Sequence, residues 1–369
     1  MAEPDFYHAW NNGKQSFTFT LFGRVDQHDA NRTHFDIREL TWQYSERSWE
    51  LRVGIRKLFW GVAESNHLAD IINQTALVEN LDGEEKRGQS MVNFALSKNW
   101  GTLDFFVLPG FRERTFFAPD GRPGIPFPFD HRNATFDSRK GRGHVDFAAR
   151  WFHSCGPADI GIYHFRGTSR DPRLFPSDLG DGRTVFRPHD DLINQTGLDL
   201  QITTGGWLWK LETINRHGPG DRFLALVGGF EYPFGNIKAS GIDGGVLAEY
   251  NFDERDEEAL TPLEDDILFG FRLAFNDVQD TQLLAGAAID RESGASFVNI
   301  EAAQRFGSRW TLDVQARMFV GIPPDDLFLF GIRNDDYLQA TWSLHFWPRS
   351  RPTTTSSPHF SPAEGRSTL

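Results

Sequence analysis

Leu312-Asp313-Val314-Gln315-Ala316-Arg317-Met318-Phe319-Val320 sets Leu312, Val314, Ala316 and Met318 against Asp313, Gln315 and Arg317. Successive Cβ atoms of a strand point to opposite faces, so this stretch predicts a strand with one oily and one ionic side. The same period of two runs through Leu338-Gln-Ala-Thr-Trp-Ser-Leu-His-Phe346, Trp49-Glu-Leu-Arg-Val-Gly-Ile-Arg56 and Val145-Asp-Phe-Ala-Ala-Arg-Trp151. Helical periodicity is scarce. Sixteen segments read as strands: 15–22, 33–44, 49–60, 89–97, 102–112, 144–153, 158–167, 191–202, 207–215, 221–232, 242–252, 266–276, 281–289, 295–306, 310–320 and 336–346.

The connections alternate in length. Those at 23–32, 61–88, 113–143, 168–190, 253–265 and 321–335 are long, with 216–220 and 290–294 in the same series. Those at 45–48, 98–101, 154–157, 203–206, 277–280 and 307–309 are short, with 233–241 among them. Aromatic residues border the short series: Tyr44, Trp49, Trp151, Trp207, Trp209, Trp310 and Phe346. Amphipathic rings suit a membrane interface, which is apolar at one end and wet at the other.

Composition narrows the class. The chain has 369 residues, 51 acidic against 38 basic, and a formal net charge of −13, which argues against a nucleic-acid partner. Only seven of the basic residues are lysine, and arginine suits fixed ion pairs inside a wall. The single cysteine, Cys155, excludes a disulfide framework and a multi-cysteine metal site. No apolar run is long enough for a transmembrane helix, but strands of a transmembrane barrel give no hydropathy peak. Met1-Ala-Glu-Pro-Asp5 lacks the charged and apolar regions of a signal peptide. It reads as either a cytosolic start or a mature end with a start Met added.

With these features the chain resembles the porin type of Gram-negative outer-membrane β-barrel. The last segment, Asp336-Tyr-Leu-Gln-Ala-Thr-Trp-Ser-Leu-His-Phe346, is similar to that family's C-terminal assembly signal, although residues follow it here. The resemblance implies an all-β fold: a closed antiparallel transmembrane β-barrel of about 16 strands, with short periplasmic turns and long extracellular loops. It divides the chain into an N-terminal periplasmic segment 1–14, a barrel 15–346 and a disordered Pro/Ser/Thr-rich tail 347–369. A ten-residue strand tilted by about 45° spans roughly 23 Å of membrane normal.

If the oily faces meet lipid, the ionic faces line water. The basic wall residues are then Arg38, Arg52, Arg56, Arg150, Lys210, Arg272 and Arg317. The acidic ones are Asp36, Glu50, Asp104, Asp146, Asp199, Glu212, Glu249, Glu301 and Asp313. The resemblance also implies an inward-folded constriction in loop 113–143, carrying Arg114, Arg122, Arg132, Arg139, Lys140 and Arg142 and giving a mild anion preference; the alternative for this loop is an external lid or a contact to a neighbouring subunit. In loop 61–88, Glu79, Asp82, Glu84 and Glu85 are expected to latch onto arginines of the following loop, with calcium chelation as the alternative, and the block 59–114 reads as a plug.

The function expected is a passive diffusion channel for small solutes in the outer membrane, with no cofactor, no metal and no reaction. The expected partners are lipid, lipopolysaccharide, the barrel-assembly machinery and diffusing solutes. A homotrimer and a monomer are both open. The rival from another class is a soluble carbohydrate-binding or glycoside-cleaving β-sandwich. An outer-membrane hydrolase using His345 and Ser343 is a further alternative, although both residues phase to the ionic face. No phosphate-binding loop, dinucleotide fingerprint, HExxH or GxSxG occurs.

Overall fold

The computed structural model describes residues 1–119, 121–124, 127–178, 184–218, 220–324, 326 and 329–346. The tail assignment at 347–369 lies outside the described residues. Twenty strands form: β1 Asp5–Trp10, β2 Gln15–Arg24, β3 His34–Glu46, β4 Trp49–Arg56, β5 Gln89–Lys98, β6 Gly101–Pro109, β7 Thr135–Phe136, β8 Val145–Cys155, β9 Ala158–Thr168 and β10 Arg173–Asp178. They continue as β11 Thr184–Asp190, β12 Leu192–Thr204, β13 Trp207–His217, β14 Phe223–Phe234, β15 Asp243–Asp253, β16 Asp266–Ala274, β17 Gln282–Asp290, β18 Ser296–Phe306, β19 Trp310–Val320 and β20 Tyr337–Leu344. The only helical pieces among the described residues are short 3₁₀ turns.

Seventeen strands make one sheet, and β7, β10 and β11 make a second, small one. Within the large sheet each strand pairs antiparallel with the next in the chain, from β1–β2 to β19–β20. Each of the sixteen segments read from alternation is a strand of this sheet. The strand count itself needs correction, because β1 adds a seventeenth strand and the small sheet adds three. Asp5–Trp10 therefore belongs to the sheet. The apolar faces do not press two sheets together, so the sandwich architecture does not hold.

Hairpin turns explain the short end. Thr204 and Trp207 are joined by Gly205 and Gly206, both at positive φ, which fits the right-handed twist of flanking strands. At the other end, residues 57–88 leave β4 and fold back inside the sheet. Phe165, Tyr163 and Phe106 pack there against Trp60, Ala69, Ile71 and Ile72. Outward residues such as Phe105, Val107, Phe147, Val246, Phe269 and Leu338 are exposed and form an apolar outer belt.

The curl of the sheet is fixed by one short stretch of the inner segment. Glu79 meets Arg38 of β3, whereas Asp82 meets Arg317 of β19 at 2.9 Å. Residues three apart in sequence thus hold strands from opposite ends of the sheet, so the sheet has turned through almost a full circle. No register joins β20 to β1 among the described residues.

Candidate functional site: the plugged lumen

The inner segment is anchored mainly through its own backbone. Glu212 of β13 accepts from the amides of Val62 at 2.7 Å, Ala63 at 2.9 Å and Ala69 at 2.8 Å. Glu249 of β15 accepts from Glu64 at 2.9 Å, and from the amide of Ser65 at 2.8 Å and its hydroxyl at 2.7 Å. Charge-assisted bonds of this kind are roughly twice as strong as neutral ones. Gly61 passes so close that a Cβ there would sit 2.7 Å from Glu212 Oε1. Glycine is what lets the backbone reach the carboxylate.

Side-chain latches surround this anchor. Lys210 reaches Glu64 at 2.7 Å, and Arg272 reaches the same carboxylate at 2.6 Å. Arg150 pairs with Asp199 at 2.7 Å and lies over the Trp60 ring at 5.0 Å. Arg38 lies over Phe22 at 4.1 Å while holding Glu79. Asp146 accepts from Arg170 at 3.0 Å, and the Arg170 guanidinium in turn donates to the Ile72 carbonyl at 2.9 Å.

His67 and Asp82 are among the displaced titrating groups of the plug. Burial opposes the imidazolium of His67, but the neighbouring Glu84 carboxylate outweighs it and lifts the ring to about 9. Burial pushes the Asp82 carboxyl up to about 6 against the pull of Arg317.

The wall residues named from sequence sort by arc. Arg38, Asp146, Arg150, Lys210, Glu212, Arg272 and Arg317 all face inward and engage the plug or its supports. Arg52 faces inward beside Glu50 and donates to Asn93 at 3.1 Å, and Asn93 in turn donates to Asp104 at 3.0 Å. Arg56 donates to Asn93 at 3.4 Å. Asp313 sits opposite Thr341 and Ala303 in the ladder.

The basic residues of loop 113–143 lie mostly at the surface. Arg142 forks onto Glu113 at 2.6 and 3.0 Å on the exposed surface, and Arg132, Arg139 and Lys140 are exposed. Arg122 pairs with Asp335, its own side chain largely in solvent. Only Arg114 reaches inward, to Asp171 at 2.7 Å. Residues 57–88 pack inside the lumen. Glu79 and Asp82 latch there onto wall arginines rather than onto the following loop. Sequence reading missed Trp60, Glu64 and the anchoring role of Glu249. The available signal was the specialised look of the block beginning at Phe59.

The aromatic residues assigned to a girdle cluster at the short-turn end. Trp207 stacks on Trp209 at 5.6 Å and meets Tyr232 at 4.7 Å. Tyr44 meets Trp49 at 5.4 Å, and Trp310 meets Trp342 at 5.6 Å. Trp151 donates to the Trp100 carbonyl at 3.0 Å, and Phe346 is exposed. His345 meets the Thr311 hydroxyl at 3.1 Å.

One grouping among the described residues has metal-ligand proximity: Asp137, His189 and Asp191 bring ligand atoms within 4.8 Å. Arg173 already forks onto Asp191 at 2.6 and 2.7 Å, and Leu192 donates to Asp137, so these donors serve the small outer sheet.

No family model matches the chain, and no curated protein matches it. Among solved structures it is similar to Wzi of Escherichia coli, an outer membrane protein involved in group 1 capsule assembly and described as a carbohydrate-binding β-barrel. That likeness has a TM-score of 0.53 at 9% identity and covers 86% of this chain and 73% of Wzi. The outer-membrane expressed OmpT of Vibrio cholerae aligns with a TM-score of 0.35 at 10% identity, covering 93% of this chain and 91% of that one. The fold is that of an outer-membrane β-barrel, as shared with Wzi.

Proposed function

We propose that the chain is a channel in the Gram-negative outer membrane through which small polar solutes diffuse passively. The carrying observation is the unequal fit of the plug. One arc of the inner wall, β5 to β14, packs apolar side chains onto residues 57–88. The other arc, β18 to β20 with β3 and β4, presents Gln315, Glu301, Gln339, Thr341, Gln43 and Arg52 inward. Solutes pass along that polar arc, beside the plug. The sheet closes between β20 and its first strands, because exposed backbone groups have no partner in lipid. The outer apolar belt meets acyl chains, and the rings at the short turns lie at headgroup level.

Planar-bilayer recordings test the reading. Purified protein should give discrete conductance steps, and liposomes carrying it should swell in small polar solutes. Membranes that stay silent at saturating protein overturn it. Exposed Phe127 and Phe175 on the outer loops favour a second reading, carbohydrate binding at the outer face, as Wzi is described to do. Binding to immobilised glycans without conductance would replace the first reading with the second.

A further inference from the structure

We propose that the outward face of β9, β12 and β13 docks the phosphorylated headgroup of an outer-leaflet glycolipid. The inference takes the apolar belt to lie in the outer membrane, as proposed above, and is independent of whether solutes cross the lumen.

The belt is interrupted on these three strands. Tyr163 and Phe165 of β9, Gln195 of β12 and Glu212 of β13 are buried on the inner side, so their sequence neighbours point outward. Near the long-loop ends those neighbours are polar. Arg166 stands opposite Asn194, and Asn194 stands opposite His217. One step deeper, His164 faces Thr196, and Thr196 faces Asn215. On the flanking strands the matching outward residues are Phe147 of β8, opposite Arg166, and Leu224 of β14, opposite Asn215, both exposed and apolar. Toward the short turns the same three strands turn apolar again, with Ile162 beside Leu198 and Ile160, Leu200 and Leu211 below them.

The polar groups sort by depth. The deeper ones are satisfied within the protein. His164 meets the Thr196 hydroxyl at 2.9 Å, Asn215 donates to the Phe223 carbonyl at 3.4 Å, and the Thr213 hydroxyl donates to the Ala225 carbonyl at 3.2 Å. Arg166, Asn194 and His217 have no side-chain partner among the described residues, and all three are exposed. His217 lies eight residues beyond Trp209 of the aromatic ring at the short turns. At about 3.3 Å per residue and a 45° tilt, that is roughly 19 Å of membrane normal, in the outer part of a belt about 25 Å tall. An arginine there reaches the headgroup layer by extending its stem along the strand.

Charge selects the occupant. The two rows hold an arginine and two histidines and no carboxylate. A second copy meeting this face across a twofold axis would set those cations against themselves. A phosphate-bearing headgroup supplies the missing acceptors and the opposite charge. Three adjacent strands span about 10 Å, which suits a sugar headgroup, and the acyl chains then lie along Ile162, Leu198 and Leu200.

Native mass spectrometry of the detergent-folded protein with diphosphoryl lipid A tests this. The wild type should retain the lipid, and the dephosphorylated lipid should bind about tenfold more weakly. Arg166→Gln should weaken binding of the phosphorylated lipid about tenfold, the loss expected for one charge-assisted bond, and His217→Gln should weaken it by a smaller factor. Arg166→Lys keeps the charge and should restore most of the affinity. Heat-modifiable gel migration checks that each variant is folded. Inorganic phosphate at millimolar concentration should not displace the lipid, because acyl contacts supply much of the hold. The proposal is overturned if lipid with and without phosphate binds alike, if Arg166→Gln and His217→Gln both bind as the wild type does, or if free phosphate competes fully. A wild-type dimer that Arg166→Gln dissociates would also overturn it and make this face a contact between copies. None of these readouts uses conductance, so a failure here leaves the channel reading standing, and a silent bilayer leaves this site standing.

Discussion

From β5 to β14 the inner wall carries Met91, Phe106, Leu108, Phe165, Ile193 and Ile214, and these residues pack on Trp60, Ile71 and Ile72 of the plug. Across the lumen, β3, β4 and β18 to β20 carry Arg38, Arg52, Glu301, Gln315 and Arg317; the plug meets this arc mainly through polar contacts, Arg38 with Glu79 and the Lys86 carbonyl and Arg317 with Asp82, and Leu81 packs on the small cluster that holds Phe319. One arc behaves as the core of a folded domain, and the other behaves as a hydrated surface turned inward. The difference divides labour: stability is concentrated on the first arc and passage on the second. Mutations should therefore separate the two properties.

The sharpest break comes from the apolar arc. Phe165 is fully buried between the wall and the plug. Phe165→Ala should cost about 3–5 kcal/mol, as expected for emptying an aromatic site in a packed core. Denaturant unfolding of the detergent-folded protein measures it. A neutral result would mean that this arc is not a core.

Next is the anchor. Glu212→Ala leaves the amides of Val62, Ala63 and Ala69 without acceptors. Each orphaned buried donor costs about 1–3 kcal/mol, so a total of roughly 3 kcal/mol or more is expected. The plug should loosen and the unit conductance should rise several-fold. Glu212→Gln keeps an acceptor and should restore part of the closure.

How much of this was legible is itself a physical question. The strands of the large sheet were visible because lipid and water impose a period of two on every wall segment, as at Leu312–Val320. β1 escaped because Asp5–Trp10 is exposed on both faces and carries no contrast. β10 and β11 escaped because they lie in a polar outer loop, where no apolar solvent enforces alternation. Inward direction at Arg38, Lys210 and Arg317 was legible from the same period. Their partners were not, since Glu79, Glu64 and Asp82 arrive across the lumen on a folded-back segment. A ladder register constrains neighbours on the wall and says nothing about what crosses it.

The plug also carries a pH test. His67, beside Glu84, titrates at about 9 when docked and near 6.5 when released to water. Its contribution to docking is fully present below about 6.5 and is lost as pH rises through about 9. The groups acting on it are Glu84, Glu212 and, in opposition, Lys86. Conductance should therefore rise between about pH 7 and 10, and His67→Gln should flatten that rise. A rise of equal size in the variant would move the titration elsewhere, with Asp82 excluded because it has already ionised by then.

The smallest effect on stability should fall on the polar arc, and it is the one that best isolates function there. Arg52 touches Glu50, Gln43 and Asn93 on the water-facing wall. A partly solvated pair of this kind is worth about 1 kcal/mol at most, so Arg52→Gln should leave unfolding nearly unchanged. Removing a fixed positive charge beside the lane should nonetheless shift the reversal potential in asymmetric salt toward cations. If Arg52→Gln destabilises the barrel as Phe165→Ala does, the two arcs are not separate. If it changes neither stability nor selectivity, solutes do not pass along β4, and the lane must lie closer to β18–β20.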